Sequence, residues 1–295
     1  MLDRYLDPAT LSAISSLDLV ARTVVDGFVA GLHRSPEFGF SQEFAEYRQY
    51  TPGDDLRHVD WNVFARTERA YLKRYRGETN SQLLVLLDAS ASMNYGSGQT
   101  PKIDYARFLA ASLAYLGNRQ RDATGLILFD EEVRTYVPPS TRAGQLHRLL
   151  HAIEQPAGGG RTDFSKPFVH FQQFLRRRGI TAVISDFYDD PGRIVKVIEP
   201  LRYRGNDVVL FHVLDPREIE PHFDSAVLLV DLEDGASLEV SPEYARSEYP
   251  AKMQGHIAAL REHAQRAGLD YCLMNTSRPL DEGLREYFRL RQRRP

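Results

Sequence analysis

A chain of 295 residues holds one large domain or two of ordinary size, and its 42% hydrophobic and 26% charged residues are ordinary globular proportions. A net charge of −3 supplies no basic field for nucleic acid, and the single cysteine, Cys272, rules out an internal disulfide and favours a reducing compartment. The most apolar N-terminal stretch, residues 19–32, is interrupted by Arg22 and Asp26, so neither a signal peptide nor a membrane span is expected and the protein is read as soluble and cytoplasmic.

Residues 8–33 predict a helix, because Leu11, Ile14, Leu17, Val20, Ala21, Val24, Val25 and Phe28 recur at three- and four-residue steps. A loop at 33–41 leads into a stretch dense in charge and aromatics. It holds Glu46, Arg48, the turn Pro52-Gly53-Asp54-Asp55, then Arg57, Asp60 and Trp61. The alternation in Tyr71-Leu72-Lys73-Arg74-Tyr75 extends it toward the first core strand. That strand, Leu83-Leu84-Val85-Leu86-Leu87, is an unbroken apolar run suited to burial on both faces of a parallel sheet. It ends abruptly in Asp88-Ala89-Ser90-Ala91-Ser92.

Beyond it the pattern is a βα alternation. A helix is expected over 103–116, a strand over 124–129, and a second strand over 133–137 paired across Asp130-Glu131-Glu132. A helix over 146–153 precedes the loop Gly158-Gly159-Gly160-Arg161-Thr162-Asp163. The helix expected over 164–178 ends in Arg176-Arg177-Arg178, which complements its dipole and needs no ligand. A strand over 180–185 delivers Asp186. Then come a helix over 193–203 stopped by Gly205, strands over 207–214 and 226–231, a helix over 249–267, a strand over 269–275 holding Cys272 as a core residue, and a helix over 280–290. Helices at short intervals between strands imply a mostly parallel sheet covered on both faces. The expected division is an N-terminal extension, 1–80, and an α/β domain, 81–295.

Two strands therefore end in an aspartate, and a glycine-rich loop between them in sequence carries a threonine. Open α/β sheets place ligands at the carboxyl edge, and oxygen ligands of this kind suit hard divalent cations. Serine and aspartate also cap helices and build turns, so Asp-x-Ser-x-Ser alone is a weak signal; the three loops together are far more specific. They resemble the von Willebrand factor A domain and its metal-ion-dependent adhesion site, which maps onto Asp88, Ser90, Ser92, Thr162 and Asp186. The Glu46 to Trp61 stretch resembles the signature of domain-of-unknown-function family fifty-eight, which precedes a von Willebrand A-like domain in bacterial proteins. The resemblance covers nearly the whole chain. It implies a von Willebrand factor A-like (Rossmann-like) fold and a non-enzymatic protein-interaction module. Mg²⁺ or Mn²⁺ on the five residues would bind a partner's carboxylate. It also implies a MoxR-type AAA+ ATPase as partner, with this chain as its adaptor in a chaperone-like or assembly role, together with a client protein. The signature residues are either a recognition surface or a polar cluster tying the N-terminal segment to the domain, with Trp61 as an apolar anchor. The second is favoured, since buried ion-pair networks position chain segments.

Other chemistry finds less support. His147 and His151 share a helix face but lack the glutamate of a zinc-protease motif, and neither a phosphate loop nor a Gly-x-Ser-x-Gly elbow occurs. Arginines 285, 289, 291, 293 and 294 read as a solvated end. The rival class is a Mg²⁺-dependent phosphotransferase or phosphatase using Asp88 as nucleophile. Ser90 stands where such enzymes place a second acid, and no matching lysine is evident at a strand end.

Overall fold

The computed structural model describes residues 8–13, 16–33, 44–49, 63–64, 66, 69–75, 82–155, 160, 164, 166–168, 178–203, 205–233 and 235–285. They form two compact units, one of residues 1–28 with 81–295 and one of residues 29–80. In the smaller unit, β1 (Phe44–Gln49) pairs antiparallel with β2 (Tyr71–Tyr75), placing Glu46 opposite Arg74 and Arg48 opposite Leu72.

The larger unit opens with α1 (Pro8–Ser12) and the greater part of α2 (Leu17–His33), up to residue 28. The expected single helix over 8–33 is thus two. Ser12 Oγ turns back to the Pro8 carbonyl at 2.9 Å and meets Thr100 Oγ1 at 2.7 Å, so its hydroxyl serves the end of α1 and a tertiary contact. Leu17, Val20, Ala21, Val24 and Val25 form the buried face of α2. Residues 1–28 therefore cluster with residues 81–295.

The central sheet is built from β3 (Gln82–Asp88), β4 (Ala123–Phe129), β5 (Val133–Ser140), β6 (Gly179–Ser185), β7 (Asp207–Leu214) and β10 (Asp270–Asn275), in the order β10-β7-β6-β3-β4-β5. All neighbours are parallel except β5, which returns antiparallel to β4 across the Asp130 turn. Every residue of β3 is buried, as an apolar run covered on both faces requires. Leu84 and Leu86 point into a core shared with Phe129, Phe187, Ile194, Met253, Ile257 and Leu260. Leu83 faces the other way, toward α3 (Lys102–Arg119): a Cβ on Gly117 would lie 3.0 Å from Leu83 Cδ2 and 2.5 Å from Thr124 Oγ1. β5 carries Pro138 and Pro139 along the sheet edge, and its register with β4 shifts between Thr124 and Leu126.

Around the sheet run α4 (Gln145–Ile153), α5 (Pro191–Ile198), α6 (Pro200–Tyr203), α7 (Pro216–Ile219) and α8 (Pro242–Arg266). The helix expected over 193–203 is broken at Pro200, which has no N–H to continue it. The strand expected over 226–231 is β8 (Val227–Val230), and it pairs with an unforeseen β9 (Ser237–Val240) to form a separate hairpin. Its Leu228, Val230 and Leu238 are exposed. Cys272 is buried, and His147 and His151 are exposed. Of the helix expected over 164–178, only 166–168 fall among the described helical residues.

Candidate metal centre

Because β3 and β6 are parallel neighbours with Leu87 opposite Ile184, their carboxyl ends come out side by side. Asp88 ends β3, and Ser185 and Asp186 follow from β6. Asp88, Ser90, Ser185 and Asp186 are all 0% exposed, so these polar groups must find partners within the protein. Both Asp88 oxygens do: Ser185 Oγ donates to Oδ2 at 2.6 Å, and the Ser90 N–H donates to Oδ1 at 2.9 Å. The second bond folds the loop back on itself and sets the Ser90 and Ser92 hydroxyls 3.1 Å apart. The Ala91 N–H donates to the Gly160 carbonyl at 3.0 Å, so the glycine loop approaches this turn. Thr162 lies outside the described residues.

Just past Asp186, Phe187 has φ 49°, a left-handed conformation that a bulky residue rarely adopts. Neighbours determine it closely. Its N–H donates to Ser185 Oγ at 3.0 Å, its carbonyl meets His256 Nε2 at 3.1 Å, and its ring stacks on Phe164 at 5.6 Å. Such strain, held by surrounding contacts, clusters at functional sites.

The electrostatics are those of negative charge crowded in a dry place. Burial, and next the charge of Asp186, push the Asp88 carboxyl up to about 7 despite the bonds from Ser185 and Ser90. Asp186 Oδ2 accepts from Lys102 Nζ at 2.7 Å. Its Oδ1 is buried and makes no hydrogen bond among the described residues. Two buried carboxylates, one with an orphaned oxygen, beside two converging hydroxyls, fit a hard cation that takes oxygen ligands. Among the described residues no group of three or more His, Cys, Asp or Glu assembles.

The structure thus brings together Asp88, Ser90, Ser92 and Asp186 of the five expected metal residues. Of the signature, Glu46 and Arg48 fall on β1, while Pro52, Gly53, Asp54, Asp55, Arg57, Asp60 and Trp61 lie outside the described residues.

Sequence reading missed the layer behind the site. Lys102, the first residue of α3, has a side chain 0% exposed and also donates to Glu218 Oε1 at 2.7 Å. Burial works to lower the Lys102 pKa, but Asp186 and Glu218 outweigh it and the net direction is up. Glu218 belongs to α7, whose start was legible: Asp215-Pro216-Arg217-Glu218 is a capping box with proline at the first position. Asp215 also accepts from the Ser97 N–H at 2.8 Å and the Ser97 hydroxyl at 2.5 Å. On β7, opposite Ser185, His212 is fully buried and its Nδ1 pairs with the Tyr271 hydroxyl at 2.7 Å.

A family description reading "Protein of unknown function DUF58" matches residues 46–259. An uncharacterized protein of Mycobacterium tuberculosis is 29% identical over 278 residues, covering 92% of this chain and 86% of its own. Among solved structures, the conserved hypothetical protein BatB from Bacteroides thetaiotaomicron superposes with a TM-score of 0.51 at 16% identity, over 72% of this chain and 99% of that one. A von Willebrand factor type A structure from Catenulispora acidiphila has a TM-score of 0.41 at 13% identity, over 70% of this chain and 41% of that one.

Proposed function

The chain belongs to the DUF58 family and has a von Willebrand factor A-like fold, and from that premise we propose that it is a metal-dependent protein-interaction module. Asp88, Ser90, Ser92 and Asp186 hold Mg²⁺ or Mn²⁺, directly or through water, with Thr162 as the fifth residue. The cation, when bound, supplies a hard Lewis-acid position that an incoming carboxylate can complete. Ser185 and the Ser90 N–H orient the Asp88 carboxylate, and the Ala91–Gly160 contact holds two of the loops together. The partner is a MoxR-type AAA+ ATPase, for which this chain is an adaptor toward a client. The observation that carries the metal reading is the orphaned, fully buried Asp186 Oδ1 beside a second buried carboxylate.

Metal that binds only the folded state raises stability by about 1.4 kcal/mol at tenfold excess over its Kd. Mg²⁺ or Mn²⁺ should therefore raise Tm in the wild type and not in Asp88→Ala. EDTA should release a complex with the ATPase, and Mg²⁺ should restore it. A complex indifferent to EDTA and to Asp88→Ala removes the metal from recognition, and the stretch from Pro52 to Trp61 becomes the better candidate.

The phosphotransferase alternative gains one observation, since Lys102 does stand beside the site. Its ammonium is, however, buried and already shared between two carboxylates. We expect no turnover of phosphomonoesters above background with Mg²⁺. Activity that survives repurification and vanishes in Asp88→Asn would reverse that conclusion.

A further inference from the structure

Lys102 breaks a local rule. A lysine in the first turn of an 18-residue helix opposes the helix dipole, and a lysine is rarely buried whole. The position is therefore explained by what the ammonium touches. Its two charged partners arrive from distant elements: Asp186 from the end of β6 and Glu218 from α7, each at 2.7 Å. The Tyr188 ring lies 4.8 Å from the nitrogen and the Tyr95 ring 5.9 Å, both on the scale of cation–π contact. Glu218 is itself fixed, because its Oε2 accepts the Asp215 N–H at 2.9 Å. The nitrogen engages only one oxygen of Asp186, Oδ2, and leaves Oδ1 without a hydrogen bond among the described residues.

We propose that Lys102 is a resident cation that divides Asp186 between itself and the metal, and so sets how tightly the site holds a divalent ion. The inference rests on the metal-site reading. Lys102 occupies Oδ2 of Asp186 and leaves Oδ1 as the oxygen open to the metal. It also places a positive charge one carboxylate away from the metal. Glu218 offsets part of that charge. Lys102 is thus an affinity-setting residue, and the pair Lys102–Glu218 tunes how tightly the site holds its cation. An opposite charge at such range alters proton binding by one to three pKa units, and a divalent ion feels a neighbouring charge more strongly than a proton does.

The test is Mn²⁺ binding to the full chain, titrated by electron paramagnetic resonance. Lys102→Met frees both Asp186 oxygens and removes a repelling charge, so Mn²⁺ should bind at least about tenfold tighter. Glu218→Gln keeps the shape but leaves Lys102 less neutralised, so Mn²⁺ should bind about tenfold more weakly. A merely structural lysine would weaken binding or leave it unchanged on replacement, and either result overturns the proposal. Should Lys102→Met fail to fold, the direction of the Glu218→Gln shift decides. Wild-type binding that Asp88→Ala abolishes, with both tuning variants equal to wild type, removes this inference and leaves the metal site standing. No Mn²⁺ binding by the wild type removes both.

Discussion

At Asp88 the acid–base chemistry and the metal reading meet. Its carboxyl is raised from 3.8 to about 7, so between those values the folded protein holds a proton that the unfolded chain releases. That contribution to stability is full below about pH 3.8 and is lost as pH rises toward 7. His212 works the other way. Burial, then the neighbouring His256, lowers its pKa from 6.5 to about 3, so its contribution is lost as pH falls from 6.5 toward 3. A metal ligand must shed its proton, so the Mg²⁺-induced rise in Tm should be larger at pH 8 than at pH 6. Thermal unfolding with and without Mg²⁺ at the two pH values measures it, and an equal rise at both would show that Asp88 does not release a proton to the metal. That Asp88, Ser90, Ser92 and Asp186 would meet at one sheet edge was legible because β3 and β6 are apolar runs that break off abruptly. Lys102 was not, because its partner Asp186 lies 84 residues away and nothing local announces the meeting.

Elements buried on both faces were the easiest to read, since β3, β6 and β7 are mostly apolar along their length. Where capping chemistry competed with periodicity, boundaries moved. α8 begins at Pro242 with Ser241 Oγ accepting the Tyr244 N–H at 3.2 Å, yet the helix was expected only from 249. Ser241-Pro242 is a sound start signal that the expected range passed over, and Pro250 lies inside the helix. β9 went unseen because it has no apolar run to mark it and is mostly exposed. α3 approaches β3 and β4 closely at Gly117, where an added Cβ would meet Thr124 and Leu83. Gly117→Val should destabilise by about 1–3 kcal/mol through overpacking, read from urea unfolding. A change within ~0.5 kcal/mol, as surface sites give, would mean the helix can shift away from the sheet.

For the molecule as a whole, the α/β class, the mostly parallel sheet and its helical cover followed from alternation of element types. An amphipathic stripe such as that of α2 says that a helix is buried without saying against what. The stripe on α2 nevertheless has the consequence expected of a core surface. Val24 is 0% exposed, so Val24→Asp would bury an unpaired charge and should destabilise the α/β unit by more than about 3 kcal/mol. Calorimetry of the full chain measures it; an unchanged transition would show that α2 detaches at little cost. Among the described residues no helix is long and apolar enough to cross a membrane.

The two prolines of β5 bear on how this molecule can meet others. A strand at the rim of a sheet is a template for a foreign strand, because its outward N–H and C=O groups lack partners. Pro138 and Pro139 have no N–H to offer, and the Pro138 carbonyl is already taken by Gln145 Nε2 at 2.9 Å. Growth of the sheet beyond β5, whether by an invading peptide or by a second copy stacking edge to edge, is therefore blunted on that side. That suits the proposed recognition through the loops at the carboxyl end of the strands, which would depend on side chains rather than on backbone complementarity shared by every polypeptide.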